Sequence, residues 1–285
     1  MKPEDYNTPE KPTWCPGCGN FGTWAAFKNA AAKQGWDSTN SAIVSDVGCH
    51  GHIANYTNIS SVVGLHGRSV PVVTGIKLAN NTLNTFVFIG DGGCLGEGGN
   101  HFIHTCRRNH DLVMVIHDNA IYGLTTGQTS PRSPHGFVSK STPDGNLDVP
   151  LNPVTMAIAA GATFVARELC TNLSEMTELF VKANEHPGIA ILDILQPCTS
   201  FNKEYTLEYY QQNTYRLDKE WDPKDKVKAF EKAQEWGEKK IALGILYQNS
   251  DQPSYEAQIP QTKDKPAVAT PPQKRDISEL FKKHQ

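Results

Sequence analysis

The stretch from Gly90 to Gln128, GDGGCLGEGGNHFIHTCRRNHDLVMVIHDNAIYGLTTGQ, constrains the fold of this chain more than any other. An apolar run, Thr85-Phe86-Val87-Phe88-Ile89, leads into it, and a second run, Leu112 to Ile116, leads into Asp118-Asn119. Short β-branched runs bounded by turn residues predict buried parallel strands, and the segment between them has helix length. The unit is βαβ, with a carboxylate and an amide at the carboxyl ends of two strands, where open α/β sheets bind ligands. Such oxygen ligands suit a hard divalent cation, Mg2+, which takes few protein ligands and adds ligand phosphates. Gly90, Gly92 and Gly93 let backbone N–H groups approach a diphosphate closely. The competing reading is a glycine-rich turn before an ordinary packing helix, with Asn119 a turn former. A second strand ending in Asn at this distance weighs against it.

Between Gly92 and Asp118 lie 25 residues. This spacing resembles the thiamine diphosphate (TPP) fingerprint, in which GDG is followed at the same interval by Asn-Asn. The resemblance implies that Asp91, Asn119 and the main-chain carbonyl of Ile121 hold the Mg2+. The sequence departs from the fingerprint at Asp118, where the first Asn is usual.

The chain has 285 residues, enough for one large α/β domain with a tail or two small ones. Its formal charge of −3 gives no reason to expect nucleic acid or an anionic membrane as partner. No apolar run reaches membrane-spanning length and the first dozen residues lack a signal-peptide core, so a cytoplasmic location is expected. Seven cysteines, an odd count, then point to metal or cluster ligation plus buried thiols, not a disulfide framework.

The cysteines fall at informative places. Trp14-Cys15-Pro16-Gly17-Cys18 is a CxxC turn ahead of a helix expected over residues 21–33, whose N-terminal dipole favours thiolate or an anionic cofactor. Alone, it fits a redox pair, half a zinc site or half an iron–sulfur site. A strand over Ser41–Ser45 ends in Asp46-Val47-Gly48-Cys49-His50, and another over Ile189–Leu195 ends in Gln196-Pro197-Cys198. Strand-end topology thus lets Cys15, Cys18, Cys49 and Cys198 converge, as a cubane cluster or a tetrahedral zinc requires. Cys94, Cys106 and Cys170 are expected to be buried packing thiols.

The set WCPGCGNFG, SDVGCHGH, GLHGRSVPVVTGIKLAN, GDGG, DNAIYGLTTGQTSP and QPCTSFN resembles the β subunits of 2-oxoacid:ferredoxin oxidoreductases, most of all the 2-oxoglutarate branch. The resemblance implies a thiamine-diphosphate-binding α/β fold: a mainly parallel sheet with helices on both faces, and an extended C-terminal tail. It assigns one 4Fe–4S cluster to Cys15, Cys18, Cys49 and Cys198, choosing iron–sulfur over zinc. The implied TPP contacts are Val47, Gly48, Cys49, His50, His66, Gly90, Gly92, Gly93, Gly123, Leu124 and Thr125. His66 is the implied catalytic residue; without the resemblance, a loop His beside glycines reads as a structural hydrogen-bonder. Thr126 is a candidate substrate contact, and some broad-specificity archaeal relatives carry lysine there. Arg68 reads as structural.

Residues 1–205 are therefore expected to carry TPP and the cluster. Residues 206–285 are expected as a charged helix over 224–242 and a proline-bearing polar tail, packing on the core or on a partner. Asn152-Pro153 reads as a helix cap, and Leu173, Met176, Leu179, Phe180 and Ala183 as one buried helix face. Arg107, Arg108, Lys282 and Lys283 read as solvated surface more than as a ferredoxin contact.

The expected activity is oxidative decarboxylation of 2-oxoglutarate to succinyl-CoA, or its reverse, with coenzyme A as co-substrate and ferredoxin as electron carrier. No glutamate is placed to activate the aminopyrimidine. An α (or fused γα) subunit is accordingly implied, in a dimer of heterodimers. The alternatives are a broad-specificity or pyruvate enzyme, a non-oxidative TPP enzyme that would not need four cysteines, and a non-catalytic iron–sulfur or zinc protein.

Overall fold

The computed structural model describes residues 1–238, 240–270 and 276–283. Strands β1 (Ser41–Ser45), β2 (Ser61–Val63), β3 (Asn84–Gly90), β4 (Val113–Asp118), β5 (Phe164–Leu169), β6 (Ala190–Leu195), β7 (Thr214–Arg216) and β8 (Ile241–Gln248) form one sheet, in the order β2-β1-β3-β4-β6-β5-β8-β7. Neighbours are parallel except β5 and β8. The runs expected at Ser41, Thr85, Leu112 and Ile189 each start within one residue of an observed strand. Those four strands are adjacent, so the motifs that follow them emerge side by side at one sheet edge.

Helices α1 (Asn20–Gln34), α2 (Ile53–Tyr56), α3 (Ser69–Ala79), α4 (Gly99–Arg108), α5 (Pro153–Ala160), α6 (Leu173–Glu185), α7 (Leu207–Asn213) and α8 (Lys226–Gln234) complete the fold. Strand alternation sends Phe86 and Phe88 into one layer, with Phe27 of α1 and Phe180 of α6. Val87 and Ile89 enter the opposite layer, with Val73 of α3, Phe102 of α4, Ile158 of α5 and Ala229 of α8. Helices therefore cover both faces. The Asn152 side chain accepts from the N–H groups of Val154 and Thr155 at 3.0 and 3.3 Å, and Pro153 opens α5, as its sequence predicts. On α6, Met176, Leu179, Phe180 and Ala183 are buried, but Leu173 is 40% exposed, because the first turn overhangs the core.

The C-terminal part corrects the sequence reading. The helix expected over 224–242 stops at Gln234; Gly237 turns at φ 85, and Ile241–Gln248 instead pairs antiparallel with β5. The apolar run IALGILY covers an otherwise open edge of the sheet, and that gain outweighs helix continuation. Nor is the segment after it merely loose. Asn109 donates from its side chain to the carbonyls of Gln252 and Pro253, and Tyr255 N–H donates to the Asn109 carbonyl at 3.0 Å. Buried Glu256 meets His110 Nδ1 at 2.6 Å and accepts from Asp111 N–H at 2.9 Å. Pro271 and Pro272 lie outside the described residues. Among the described residues, no helix is long and apolar enough to cross a membrane.

Candidate active site

Asp91 follows β3 and is buried, with its two oxygens occupied differently. The Asn119 N–H donates to Oδ1 at 3.4 Å, and the Ser130 hydroxyl donates to Oδ2 in a short hydrogen bond. Burial, and next Asp118, push the Asp91 carboxyl up to about 8 against the opposing pull of Ser130 and Arg132. A buried acid so placed lacks a strong cation beside it. Asn119 Oδ1 accepts from the Ile121 N–H at 3.1 Å, an Asx turn that brings Asn119 and Ile121 to the same cavity as Asp91. One carboxylate, one amide and one main-chain carbonyl are the hard oxygen donors that Mg2+ accepts. Among the described residues, no three His, Cys, Asp or Glu side chains gather on one point as a metal-holding group, and this donor set contains only one of those types.

Asp118, the departure from the fingerprint, lies outside that cavity. Its Oδ2 accepts from Arg132 Nε at 2.7 Å, while Oδ1 has no partner among the described residues. Arg132 stacks over Trp236 at 4.6 Å, and Arg167, paired to Asp193 at 2.9 Å, lies over the same ring at 5.3 Å. The extra charge of Asp118 is thereby matched inside the protein by a residue of the long loop.

Every residue expected to touch TPP lines one cavity of about 130 Å3, from Val47 through Cys49 and His66 to Gly123, Leu124 and Thr125. The glycines are needed for closeness: a Cβ on Gly92 would come within 2.1 Å of the Tyr122 ring, and one on Gly93 within 2.1 Å of Asp46 Oδ2. His50 Nε2 accepts from the Gly90 N–H at 3.0 Å, and burial pushes its imidazole well down, so it is neutral. Thr126 lies on the same turn but outside the lining.

Sequence reasoning gave no role to several residues that the fold brings here. Buried Asp46 sits 3.0 Å from His66 Nδ1 and accepts the Gly67 N–H at 2.8 Å. Glu97 Oε2 lies 3.3 Å from His66 Nε2, and the same carboxylate accepts the Tyr122 hydroxyl at 3.2 Å. His66 is thus clamped between two carboxylates. Arg68 braces the clamp by donating to the Glu97 carbonyl at 2.5 Å, the structural part expected of it. Asn20 and Gln196 also line the cavity, each meeting His117 Nδ1, at 2.9 and 3.2 Å; burial pushes His117 down to about 4. Only position carried a signal, since Asp46 and Gln196 follow strands.

A second cavity, of about 250 Å3, is lined by Cys15, Cys18, Cys49 and Cys198. Cys49, Asn20, Asn119, Gly123 and Leu124 line both cavities, so the two share a wall. A Cβ on Gly123 would sit 3.4 Å from Cys198 Sγ and 3.9 Å from Cys49 Sγ, which keeps that wall thin. Burial first, then the neighbouring thiols, push Cys18 up to about 11 and Cys49 in the same direction. Cys18 and Cys49, whose ionisation is disfavoured in this way, need a cationic centre beside them to become thiolates. Buried Cys94, Cys106 and Cys170 line neither cavity.

Comparison with known proteins agrees with this arrangement. The thiamine pyrophosphate enzyme C-terminal TPP-binding domain matches residues 46–194, and the C-terminal part of the pyruvate ferredoxin oxidoreductase beta subunit matches 198–264. A 2-oxoacid:ferredoxin oxidoreductase subunit beta from a Sulfolobus species is 44% identical over 88% of this chain and 87% of its own. The chain belongs to the β subunits of 2-oxoacid:ferredoxin oxidoreductases. A second β subunit, from Aeropyrum pernix, is 39% identical over 96% of this chain and 89% of its own. The 2-oxoglutarate synthase subunit KorB of Archaeoglobus fulgidus is 40% identical over 71% of this chain and 77% of its own. Among solved structures, 2-oxoglutarate:ferredoxin oxidoreductase from Magnetococcus marinus, with 2-oxoglutarate, coenzyme A and succinyl-CoA bound, superposes with a TM-score of 0.90. It is 33% identical, and the match spans 100% of this chain and 96% of that one. As a β subunit of an oxidoreductase, the chain implies a partner subunit.

Proposed function

We propose that this β subunit serves a 2-oxoglutarate:ferredoxin oxidoreductase, forming succinyl-CoA and reducing ferredoxin through one 4Fe–4S cluster. The observation that carries the reading is the shared wall of the two cavities. A cofactor pocket separated from four thiols by Gly123 suits electron transfer over a short distance. Four thiols lining one cavity supply the four thiolates that a cubane would take, one for each iron. When bound, TPP supplies the electron sink for decarboxylation, and the protein supplies orientation and environment.

Asp91, Asn119 and the Ile121 carbonyl would hold Mg2+ against the diphosphate. Residues of the cavity floor such as Gly92 and Gly93 leave room for it, and the buried strand ends exclude water. His66, fixed by Asp46 and Glu97, presents an oriented imidazole to the cavity that would hold TPP, where it could hold or pass a proton. Residues 1–205 carry both cofactors in this reading, and the described residues of the part after 205 brace the core. A partner, α or fused γα, completes a cytoplasmic dimer of heterodimers. Relatives named for 2-oxoglutarate, and the 2-oxoglutarate-bound neighbour, support the substrate. Relatives named only for 2-oxoacids keep a broad-specificity enzyme as the second reading.

The test is anaerobic co-expression with the partner subunit. About four iron and four sulfide per chain are expected, together with coenzyme A-dependent reduction of ferredoxin on 2-oxoglutarate. Stoichiometric zinc without iron, or a preference for pyruvate, would overturn the cluster or the substrate respectively.

A further inference from the structure

Glu97 lines neither cavity, yet its carboxylate touches two residues that line the first. Its Oε2 lies 3.3 Å from His66 Nε2 and accepts from the Tyr122 hydroxyl at 3.2 Å. The Glu97 side chain is 43% exposed, so a single carboxylate joins the cavity lining to open water. On the other side of the imidazole, Nδ1 faces Oδ2 of fully buried Asp46 at 3.0 Å. The clamp around His66 is therefore unequal, with one carboxylate sealed in the protein and the other wet.

The local backbone holds Glu97 in that position. The Gly98 N–H donates to the Gly93 carbonyl at 2.8 Å, so Gly93–Glu97 form a π turn, one residue wider than an α-helical turn. Such turns recur at functional sites. The His66 loop lies directly on this turn: a Cβ on Gly67 would come within 2.5 Å of Glu97, and Arg68 donates to the Glu97 carbonyl. Burial first, and next Glu97, push the Tyr122 phenol above its usual range. The Tyr122 hydroxyl thus stays a donor that steadies the carboxylate, and His66 is the partner that exchanges protons with it.

The reaction makes a proton that has to leave. A 2-oxoacid anion and the thiol of coenzyme A give an acyl thioester, CO2, two electrons and one proton. The bond to the carboxylate carbon and the S–H bond break, a C–S bond forms, and the electrons go to ferredoxin. A proton gained by His66 and passed to Asp46 would stay in the protein, because Asp46 is closed to water. Passed to Glu97, it reaches solvent. We propose that Glu97 is the proton outlet of the active site, relaying from His66 to bulk water the proton that the reaction releases. This rests on the coenzyme A-dependent reading above, and it makes Glu97 a positioning and relay residue acting through His66.

The experiment uses the complex with the partner subunit, as parent, Glu97→Gln and Glu97→Asp. Ferredoxin reduction is followed at steady state and, in weak buffer with a pH-indicator dye, through a single turnover. In Glu97→Gln, kcat should fall about tenfold or more while KM for the 2-oxoacid stays near the parent's, and the dye signal should lag behind ferredoxin reduction. Added imidazole, a small mobile proton carrier, should restore the rate of Glu97→Gln with concentration and leave the parent's rate unchanged. Glu97→Asp keeps a carboxylate and should lose less. Both variants should retain iron and TPP, because Glu97 lines neither cavity. Three results overturn the relay alone: the parent's kcat in Glu97→Gln, a slowed Glu97→Gln that imidazole does not restore, or loss of TPP or iron from it. A parent without coenzyme A-dependent ferredoxin reduction overturns the reading of the reaction, and the relay with it.

Discussion

The two edges of the sheet carry buried acids in opposite conditions. At the amino edge, Glu256 is opposed by burial, yet His110 and the Asp111 N–H outweigh it and hold the carboxyl below its usual range. At the carboxyl edge, burial and Asp118 prevail over Ser130 and Arg132, and Asp91 is pushed upward. Toward the carboxyl edge, Asn20 Nδ2, His117 Nε2 and Asp118 Oδ1 are buried polar atoms without a partner among the described residues, and toward the amino edge Asn81 Oδ1 and His186 Nδ1 are too. Such groups are rare in finished interiors. Unpartnered atoms thus occur at both edges, and the contrast lies in the acids themselves: the neighbours of Glu256 outweigh its burial, and those of Asp91 do not. Burial alone identifies neither; what matters is whether the neighbours satisfy the buried charge.

The largest effect that would sharpen this contrast lies at the cysteines. Cys49→Ala removes a thiol from the wall between the cavities and should bring ferredoxin reduction to background, with iron well below about four per chain. Cys170→Ala, in a thiol buried behind the cavity, should keep the iron. Equal iron in the two variants would mean that the shared cavity is not the cluster site.

Next comes Asp91→Ala. Mg2+-dependent TPP retention should be lost, while the iron content stays, because the thiols are separate ligands. The thermal midpoint of the ligand-free chain should hold or rise, since the variant removes an acid that burial disfavours. A large fall in that midpoint would show that Asp91 is structural, as Glu256 is, and would break the comparison between the edges.

Much of the carboxyl edge was legible because its residues follow strands at short range. Asp91 and Asn119 are each the first residue past a strand, and Cys49 and Cys198 follow strand ends within a few residues. Adjacent strand order then brings them together without any long loop having to be guessed. What was not legible depends on contacts distant in sequence. Glu97 reaches His66 across a tight turn that Gly67 alone permits, a Cβ there coming within 2.5 Å of Glu97. The match of Arg132 to Asp118 arises inside a loop whose course carries no periodicity. Strand β8 was concealed because Gly244 interrupts its apolar run and the charged helix before it has the stronger pattern.

The smallest effect tests the compensated acid, Glu256. Glu256→Gln keeps the shape but removes the charge that His110 Nδ1 and the Asp111 N–H both address. At neutral pH the variant should lose about 2 kcal/mol of stability, the scale of a buried charged hydrogen bond, with TPP and iron retained. The pH dependence gives the sign. The folded Glu256 carboxyl titrates below its unfolded value of about 4.3, so its contribution is full above that value and is lost as pH falls through the folded one. The difference in denaturation midpoint between parent and variant should therefore be steady from neutral pH down to about 5, then shrink in more acid solution. A difference that persisted undiminished in acid would mean that Glu256 acts by packing and not by charge. Glu256 would then not be a charge outweighed by its neighbours, and the contrast with Asp91 would be lost.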